Sequence, residues 1–224
     1  MIKTMMTHTQ WSLSQAMKAF FATLALLLLP TLSTAATVDK TASAAERFAN
    51  HYEVLEGRTR STTPVVDEVF SVYCAGCYYW DQNIVPDLKA KLKEKKVDFE
   101  QTHASFMGRY GEKATQALAI ALRSNQFDAL KKQMFERIQG QRKDWSSDAD
   151  FFATLQAAGM SEDTFKTNQN NMFVLATLNK WKNMQDSLSA VPSFIVNNKY
   201  LVKPEGLKGK DEFFEVVDYL LTLP

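Results

Sequence analysis

The chain has 224 residues, of which 46% are hydrophobic and 23% charged, and this is the composition of an ordinary globular protein rather than a disordered or collagen-like one. Its formal net charge of +1 argues against the strongly basic surface on which nucleic-acid binding depends, so we expect no nucleic-acid partner. Two cysteines are too few for a disulfide-rich scaffold, and they cannot by themselves complete a four-cysteine zinc site.

Residues 1–35 have the pattern of a cleaved secretory signal peptide. The start is basic and lacks acidic residues, an apolar run follows at residues 19–29, and small residues at 33–36 suit cleavage after Ala35 or Ala36. The apolar run is shorter than the roughly 20 residues that a membrane span needs, although an uncleaved membrane anchor is the alternative. We therefore expect an exported protein in an oxidising compartment, where disulfides persist.

The first part of the mature chain alternates strand and helix signals. A weak edge-strand signal lies at residues 48–55, and residues 65–73, rich in β-branched and aromatic side chains, predict a buried strand that ends at the cysteines. Residues 78–95 have helical spacing, which Pro86 is expected to interrupt. A further strand is predicted at residues 97–102.

Strand signals disappear between residues 105 and 184 and return afterwards. Helical spacing recurs in four segments of that interval, residues 114–124, 127–139, 149–158 and 162–181. Residues 191–202 then predict a hairpin whose turn is Asn197-Asn198, because asparagine tolerates positive φ, and residues 210–223 predict a closing amphipathic helix. The order predicts an α/β fold with a helical insertion.

Cys74 and Cys77 stand two residues apart where a strand gives way to a helix. A structural disulfide closing so short a loop would stabilise the fold only weakly. A zinc site would need two more ligands, and the histidines beyond the signal segment, His51 and His103, are isolated. Haem attachment would need histidine where Tyr78 stands. Reversible dithiol chemistry needs only what is present, so a redox function is favoured over a metal site or a structural role.

The two cysteines are expected to have different roles. Cys74 is placed at the start of the helix, where free N–H groups and the positive end of the helix dipole favour a thiolate. Cys77, one turn further on, should be more covered. We therefore predict that Cys74 is the nucleophile and that Cys77 is the resolving thiol that breaks the mixed disulfide.

Glu68 lies in an otherwise apolar row of the predicted strand. Strand alternation places it on the face that leads to Cys74, whereas Asp67 lies on the opposite face and is expected to have no special role. A carboxylate in such a row must be solvated, paired or functional. It is either an ion-paired or edge-exposed residue, or a partly buried proton acceptor that helps the Cys77 thiol ionise.

Pro192 stands at the head of the hairpin's first strand. A plain strand start accounts for it. Alternatively, the Val191–Pro192 peptide bond is cis, which is a property of X–Pro bonds and usually serves a site. Aromatic side chains crowd the dithiol, and Tyr78 is a candidate for contacting substrate chains, with core packing as the alternative.

With these features the chain resembles the bacterial DsbA-type thiol:disulfide oxidoreductases, which have a thioredoxin fold. The resemblance extends over residues 49–223. It rests on Glu68 six residues before Cys74, on the aromatic run 70–73, on residues 103–108 and on the hairpin residues 191–200.

The resemblance implies a thioredoxin fold, residues 36–104 and 185–224, interrupted by an all-helical subdomain at residues 105–184. It makes Val191–Pro192 the cis-proline dipeptide that contacts substrate, Glu68 the buried acid of the family, and the two cysteines a redox-active disulfide. It also implies a periplasmic, monomeric enzyme of a Gram-negative bacterium, with no cofactor and no metal. Such an enzyme donates its disulfide to reduced, unfolded exported proteins, and a DsbB-type membrane quinone reductase reoxidises it.

A thiol reductase or disulfide isomerase of the same fold is the nearest alternative, and a dithiol metal carrier is a more distant one. Val191 before the proline resembles the oxidases, because the isomerases tend to have threonine there. Ala75-Gly76 replaces the Pro-His pair common in the family, which predicts a weaker oxidant. Gln101 stands where the family often has a lysine, which predicts that Glu68 ionises less readily.

Overall fold

A computed structural model describes residues 43–224, so the predicted signal peptide lies outside the described residues. The chain divides into two units, residues 1–46 and residues 47–224. Residues 43–48 are helical (α1), and the sheet and the dithiol belong to the second unit. Within the range that the structure describes, no helix is long and apolar enough to cross a membrane.

One mixed sheet with the strand order β1-β5-β4-β2-β3 forms the centre of the second unit. Its strands are β1 (Tyr52–Val54), β2 (Val65–Phe70), β3 (Asp98–His103), β4 (Ser193–Val196) and β5 (Tyr200–Val202). β2 pairs in parallel with β3 and antiparallel with β4, and all of its residues are buried, as its β-branched and aromatic composition predicts. It ends three residues before the predicted position, because the chain turns at residues 71–73 and the Cys74 N–H donates to the Ser71 carbonyl (3.0 Å).

The hairpin that carries the proline has the predicted turn. Asn197 and Asn198 have φ values of 52° and 59° between β4 and β5. Two consecutive positive φ values suit the twist of a two-residue hairpin, and asparagine adopts them at low cost.

Three helices outside the inserted segment pack around the sheet. They are α2 (Ala75–Asn83), α3 (Val85–Glu94) and α9 (Lys210–Thr222). Pro86 lies in the first turn of α3, where its missing N–H costs nothing, so the predicted interruption is confirmed as a break between two helices. Trp80 of α2 and Phe213 of α9 pack on Phe194 of β4 with ring centroids 4.9 Å apart, which joins both helices to the sheet.

The inserted segment between β3 and β4 is helical in the described structure. It contains α4 (Gly111–Arg123), α5 (Phe127–Phe135), a π-helical turn (Glu136–Gly140), α6 (Asp148–Ala157), α7 (Glu162–Asn168) and α8 (Met172–Gln185). The prediction of one helix over residues 162–181 is wrong, because the side chain of Asn171 caps a new helix by accepting from the Phe173 N–H (3.0 Å). The predicted limits of the insertion, residues 105 and 184, stay a prediction.

The insertion and the sheet share one hydrophobic core. Trp145 and Phe151, both fully buried in the insertion, belong to the same cluster of side chains as Phe70 of β2 and Cys77 of α2. The insertion therefore packs directly against the strand and the helix that carry the dithiol.

Candidate active site

Cys74 and Cys77 form a disulfide at the start of α2, with their Cα atoms 5.1 Å apart. Cys74 is the N-cap residue of α2, and its Sγ accepts from the Cys77 N–H (3.0 Å). The exposed fraction is 7% for Cys74 and 0% for Cys77, so Cys74 is the less covered of the two cysteines. A thiolate at that position lies at the positive end of the helix dipole, which lowers the cost of its charge.

The Val191–Pro192 peptide bond is cis and faces the dithiol. The Cys74 Sγ lies 3.4 Å from the Val191 carbonyl oxygen. Gly76, between the cysteines, also faces Pro192, because a Cβ atom on Gly76 would lie 3.6 Å from the Pro192 Cδ. The hairpin and the helix start, more than 100 residues apart in sequence, thus form the two sides of one site.

Side chains from two directions hold the turn that leads from β2 to Cys74. The Val72 N–H donates to Nε2 of His103 (3.1 Å), and the Val72 carbonyl accepts from Nε2 of Gln139 in the π-helical turn (2.9 Å). Both backbone polar groups of this buried residue are therefore satisfied by side chains, one from β3 and one from the insertion. Residue patterns gave no sign of Gln139, since π-helical turns have no simple sequence signature.

His103 is a structural partner of this turn rather than a titrating group. Its Nδ1 lies 2.6 Å from the Thr115 hydroxyl, which itself donates to the Gly111 carbonyl, so Nδ1 carries the proton and Nε2 is free to accept from Val72. Burial lowers the pKa of His103 to about 3, and the ring stays neutral at physiological pH.

Tyr73 ties the same turn to the insertion. Its hydroxyl donates to Asp144 (2.6 Å) and accepts from the Tyr110 N–H (3.2 Å), and burial together with the bond to Asp144 raises its pKa. Gly108 lies so close to the Tyr73 ring that a Cβ atom there would come within 2.4 Å of it. The orientation of the residue before Cys74 therefore depends on two parts of the insertion, the segment 108–110 before α4 and Asp144 after the π-helical turn.

Glu68 is buried in the sheet with an exposed fraction of 1%. Its Oε2 accepts from Nε2 of Gln101, the residue directly beside it on β3 (2.5 Å). Burial raises the pKa of Glu68 to about 7, while the positive charge of Lys131 and the bond from Gln101 oppose that rise. The interpretation of Glu68 as an edge-exposed residue is therefore wrong.

Gln101 supplies no positive charge beside Glu68, but Lys131 of α5 does, and its charge favours the Glu68 carboxylate. The Lys131 ammonium donates to Oε1 of Gln101 (3.1 Å) and forms an ion pair with Asp81 of α2 (2.6 Å). The lysine expected on β3 is thus replaced by one from the insertion, which the helical spacing of α5 alone does not reveal.

Asp67 lies on the opposite face of β2. We expected no special role for it, but its surroundings are unusual for a carboxylate. It is almost completely buried, and its Oδ1 has no hydrogen-bond partner among the described residues. Burial and the neighbouring Glu100 carboxylate raise the pKa of Asp67 to about 7, against the opposing charges of Lys180 and Arg58.

Tyr78 and Tyr79 of α2 face different surroundings. Tyr78 is half-buried and packs on Phe135 of the insertion, with ring centroids 5.6 Å apart. Tyr79 has an exposed fraction of 60% and lines a groove of about 510 Å³ together with Trp80 and Phe213. Tyr79 is one of the aromatic side chains that crowd the dithiol in sequence, and the structure places it on an open groove beside α2. The predicted substrate contact of Tyr78 stays a prediction.

Metal ligation has no further support from the geometry. Among residues 43–224, no three His, Cys, Asp or Glu side chains come together as a potential metal site. The dithiol alone supplies two sulfur ligands, whereas a closed zinc site needs four.

Several known proteins are similar to this chain over most of its length. Residues 50–218 match the family model described as thioredoxin. The thiol:disulfide interchange protein DsbL of Escherichia coli O6:H1 is 29% identical over 209 residues, which is 85% of this chain and 93% of that protein. The thiol:disulfide interchange protein DsbA of Haemophilus influenzae is 33% identical over 161 residues, which is 70% of this chain and 76% of that protein.

A solved structure has the same fold. The crystal structure of Salmonella enterica serovar Typhimurium DsbL matches with a TM-score of 0.69 at 28% sequence identity, covering 78% of this chain and 96% of that chain. The α/β fold with a helical insertion, predicted from the order of elements, is thereby confirmed.

Proposed function

We propose that this chain, which belongs to the DsbA-type thiol:disulfide oxidoreductases of the thioredoxin fold, is a periplasmic oxidase that donates the Cys74–Cys77 disulfide to newly exported proteins. One observation carries the proposal. Cys74, the less covered of the two cysteines, caps the start of α2 and lies beside Val191, while Cys77 is fully buried.

The proposed reaction exchanges one disulfide in two steps. A substrate thiolate attacks the Cys74 Sγ, so a bond forms between the substrate sulfur and Cys74 while the bond between Cys74 and Cys77 breaks. Cys77 leaves as a thiolate and takes up a proton. A second substrate thiolate then attacks the substrate sulfur of the mixed disulfide and releases the Cys74 thiolate. The substrate loses two electrons and two protons. The dithiol gains the two electrons, Cys77 keeps one proton, and the other passes to solvent because Cys74 is released as a thiolate.

Three residues around the dithiol have proposed roles in these steps. Glu68 holds the proton that Cys77 takes up or gives away, because its pKa of about 7 lets both protonation states exist near neutral pH. The backbone at Val191 and Pro192 lies beside the attacked sulfur and offers polar groups to an extended substrate chain.

The proposed function also implies a cellular location and two kinds of partner. Residues 1–35 direct the chain to the periplasm, where it acts as a monomer on reduced, unfolded proteins. A DsbB-type membrane quinone reductase takes the two electrons from the reduced dithiol and regenerates the disulfide. The apolar groove at Tyr79 lies on the helix that carries the dithiol, and apolar side chains of an unfolded client would fit it.

The proposal is tested by trapping the mixed disulfide. Cys77→Ser is first given a mixed disulfide between Cys74 and glutathione, and a reduced, unfolded client with one cysteine is then added. The client thiolate should attack the Cys74 sulfur, release glutathione and leave a lasting covalent complex, because the resolving thiol is absent, whereas Cys74→Ser treated in the same way should accumulate none. Complexes that form equally through either cysteine would contradict the assigned roles.

Equilibration of the wild-type dithiol with glutathione separates the remaining alternatives. An oxidising potential supports the oxidase, and a very negative one favours a reductase of the same fold. Stoichiometric retention of metal under reducing conditions would favour a carrier instead.

A further inference from the structure

Lys131 is a charged residue in an almost closed site, with an exposed fraction of 4%. Its ammonium contacts the Asp81 carboxylate (2.6 Å), the Asp128 carboxylate (3.7 Å) and Oε1 of Gln101 (3.1 Å). A buried ammonium is costly unless charged and polar partners surround it. Lys131 therefore has a defined place between α2, α5 and β3 rather than a free surface position.

The contact with Lys131 decides which end of the Gln101 amide faces Glu68. An ammonium group only donates, so the amide oxygen of Gln101 must face Lys131. The amide nitrogen is then left to donate to Glu68, as observed at 2.5 Å. The reversed amide would place two donors against each other at Lys131 and two acceptors against each other at Glu68.

We propose that Lys131 is the positioning residue that makes Glu68 an ionisable acid at neutral pH, by orienting the Gln101 amide and by placing a positive charge within the helical insertion beside it. This inference rests on the proposed role of Glu68 in proton transfer. It assigns to the insertion a part of the proton chemistry of the dithiol, because Lys131 belongs to α5 and Glu68 to β2.

The charged and polar groups around Glu68 have opposite effects on its protonation state. Lys131 from α5 and Lys89 from α3 favour the carboxylate, as does the amide of Gln101 from β3, whereas Asp81 from α2 disfavours it. β4 presents the apolar Phe194 opposite Glu68. Burial by itself favours the neutral form of Glu68. The positive charge of Lys131 opposes that effect more than any other neighbouring group, so the pKa of Glu68 depends on Lys131.

Gln101 and Asp128 also connect this network to solvent. Both line a groove of about 520 Å³ at the outer edge of β3. The polar partners of Glu68 and Lys131 therefore extend to the surface at the sheet edge.

The direct test is the titration of the Glu68 carboxyl carbon by NMR, with Glu68→Gln used to assign its signal. Lys131→Met removes the charge and keeps an unbranched side chain, and the titration midpoint should rise by about one pH unit or more. Asp81→Asn removes the opposing charge, and the midpoint should fall. Lys132→Met, an exposed neighbour on the same helix, should leave the midpoint unchanged.

Shifts of opposite sign are what distinguish an electrostatic role from a structural one. A packing defect from either substitution would loosen the site and shift both midpoints in the same direction. If Lys131→Met does not fold, Asp81→Asn still shows whether the Glu68 titration midpoint moves in the direction that an electrostatic effect requires. Gln101→Lys in the Lys131→Met background should restore a low midpoint, since it returns a cation to the side of Glu68.

The same variants test the link to function through the pH profile of dithiol exchange. Its inflection should move with the Glu68 midpoint in Lys131→Met and in Asp81→Asn. Equal midpoints in wild type and Lys131→Met would overturn the inference. If instead the midpoints move but Glu68→Gln leaves the exchange profile unchanged, the proposed proton transfer by Glu68 fails while the charge coupling stands.

Discussion

Gly76 lies directly against Pro192 and Cys74. A Cβ atom on Gly76 would be 3.6 Å from the Pro192 Cδ and 3.8 Å from the Cys74 Sγ, which are ordinary van der Waals distances. A side chain at this position would therefore fit, and it would touch both the Cys74 sulfur and Pro192. Glycine leaves this space without a polar group that could stabilise the Cys74 thiolate.

Gly76→His should make the protein a stronger oxidant. An imidazole beside Cys74 can donate to the thiolate, which stabilises the reduced form and raises the reduction potential by about 30 mV or more. Equilibration with glutathione measures the change. Gln82→His places the same residue at an exposed position of the same helix and should leave the potential unchanged. An unchanged or more negative potential in Gly76→His would show that position 76 does not control the oxidising strength.

Gln139→Ala should destabilise the protein through the Val72 carbonyl. The substitution leaves this buried acceptor without its 2.9 Å partner, which costs about 1–3 kcal/mol. Urea denaturation of the oxidised protein gives the free energy of unfolding. Gln133→Ala, on the exposed side of α5, serves as the control. Equal losses in the two variants would mean that Gln139 does not hold the turn before Cys74.

Alanine substitutions at Gly108 and Gly57 together test how tightly the Tyr73 ring packs against Gly108. Both have positive φ, 70° and 74°, so alanine strains the backbone similarly at each position. Only at Gly108 does the new Cβ meet the Tyr73 ring, at 2.4 Å, whereas nothing lies within 4 Å at Gly57. Gly108→Ala should therefore lose roughly 1–3 kcal/mol more than Gly57→Ala. Similar denaturation midpoints for both would show that the ring moves aside freely.

Asp67→Asn should change how stability depends on pH. Because burial holds the pKa of Asp67 at about 7, the folded protein binds a proton between about pH 4 and pH 7 that the unfolded chain does not bind. Its contribution to stability is therefore complete below about pH 4 and is lost as the pH rises through 7. Asparagine does not titrate, so the variant should be more stable than wild type at pH 8 by about 1–3 kcal/mol, with the difference vanishing near pH 4.

Thermal denaturation across this pH range measures the effect of Asp67→Asn. Asp98→Asn, at an exposed position of β3, is the control and should match wild type throughout. A variant that is less stable than wild type at pH 8 would mean that the Asp67 carboxylate is compensated in the fold.

Features that depend on neighbouring residues were predictable from the sequence. The two cysteines at the end of a β-branched strand, Pro86 between two helices and the Asn197-Asn198 turn each act over a few residues, where local sterics and hydrogen bonding decide the conformation. The order of such elements was sufficient to predict the α/β fold with its helical insertion and to place the dithiol at a strand-to-helix junction.

Some local patterns were nevertheless misread. Helical spacing continues past Asn171, but its side chain caps a new helix, so the predicted helix is divided. Likewise, Asp67 alternates with the Glu68 face as expected, yet the opposite face of the sheet is buried as well. Neither outcome follows from hydrophobic periodicity. Periodicity reveals neither a side-chain cap inside a helical pattern nor which elements pack on each face of a sheet.

The dithiol at a helix start and the Val-Pro dipeptide at a strand start could be read from the amino-acid sequence, since both are local arrangements. The partners of Glu68 and Val72 depend instead on the tertiary structure. Lys131 reaches Glu68 through Gln101, and Gln139 reaches Val72, because helices of the insertion pack on the end of β2. Such partners lie far apart in the chain, and their meeting depends on how whole elements pack, which the pattern within each element does not contain.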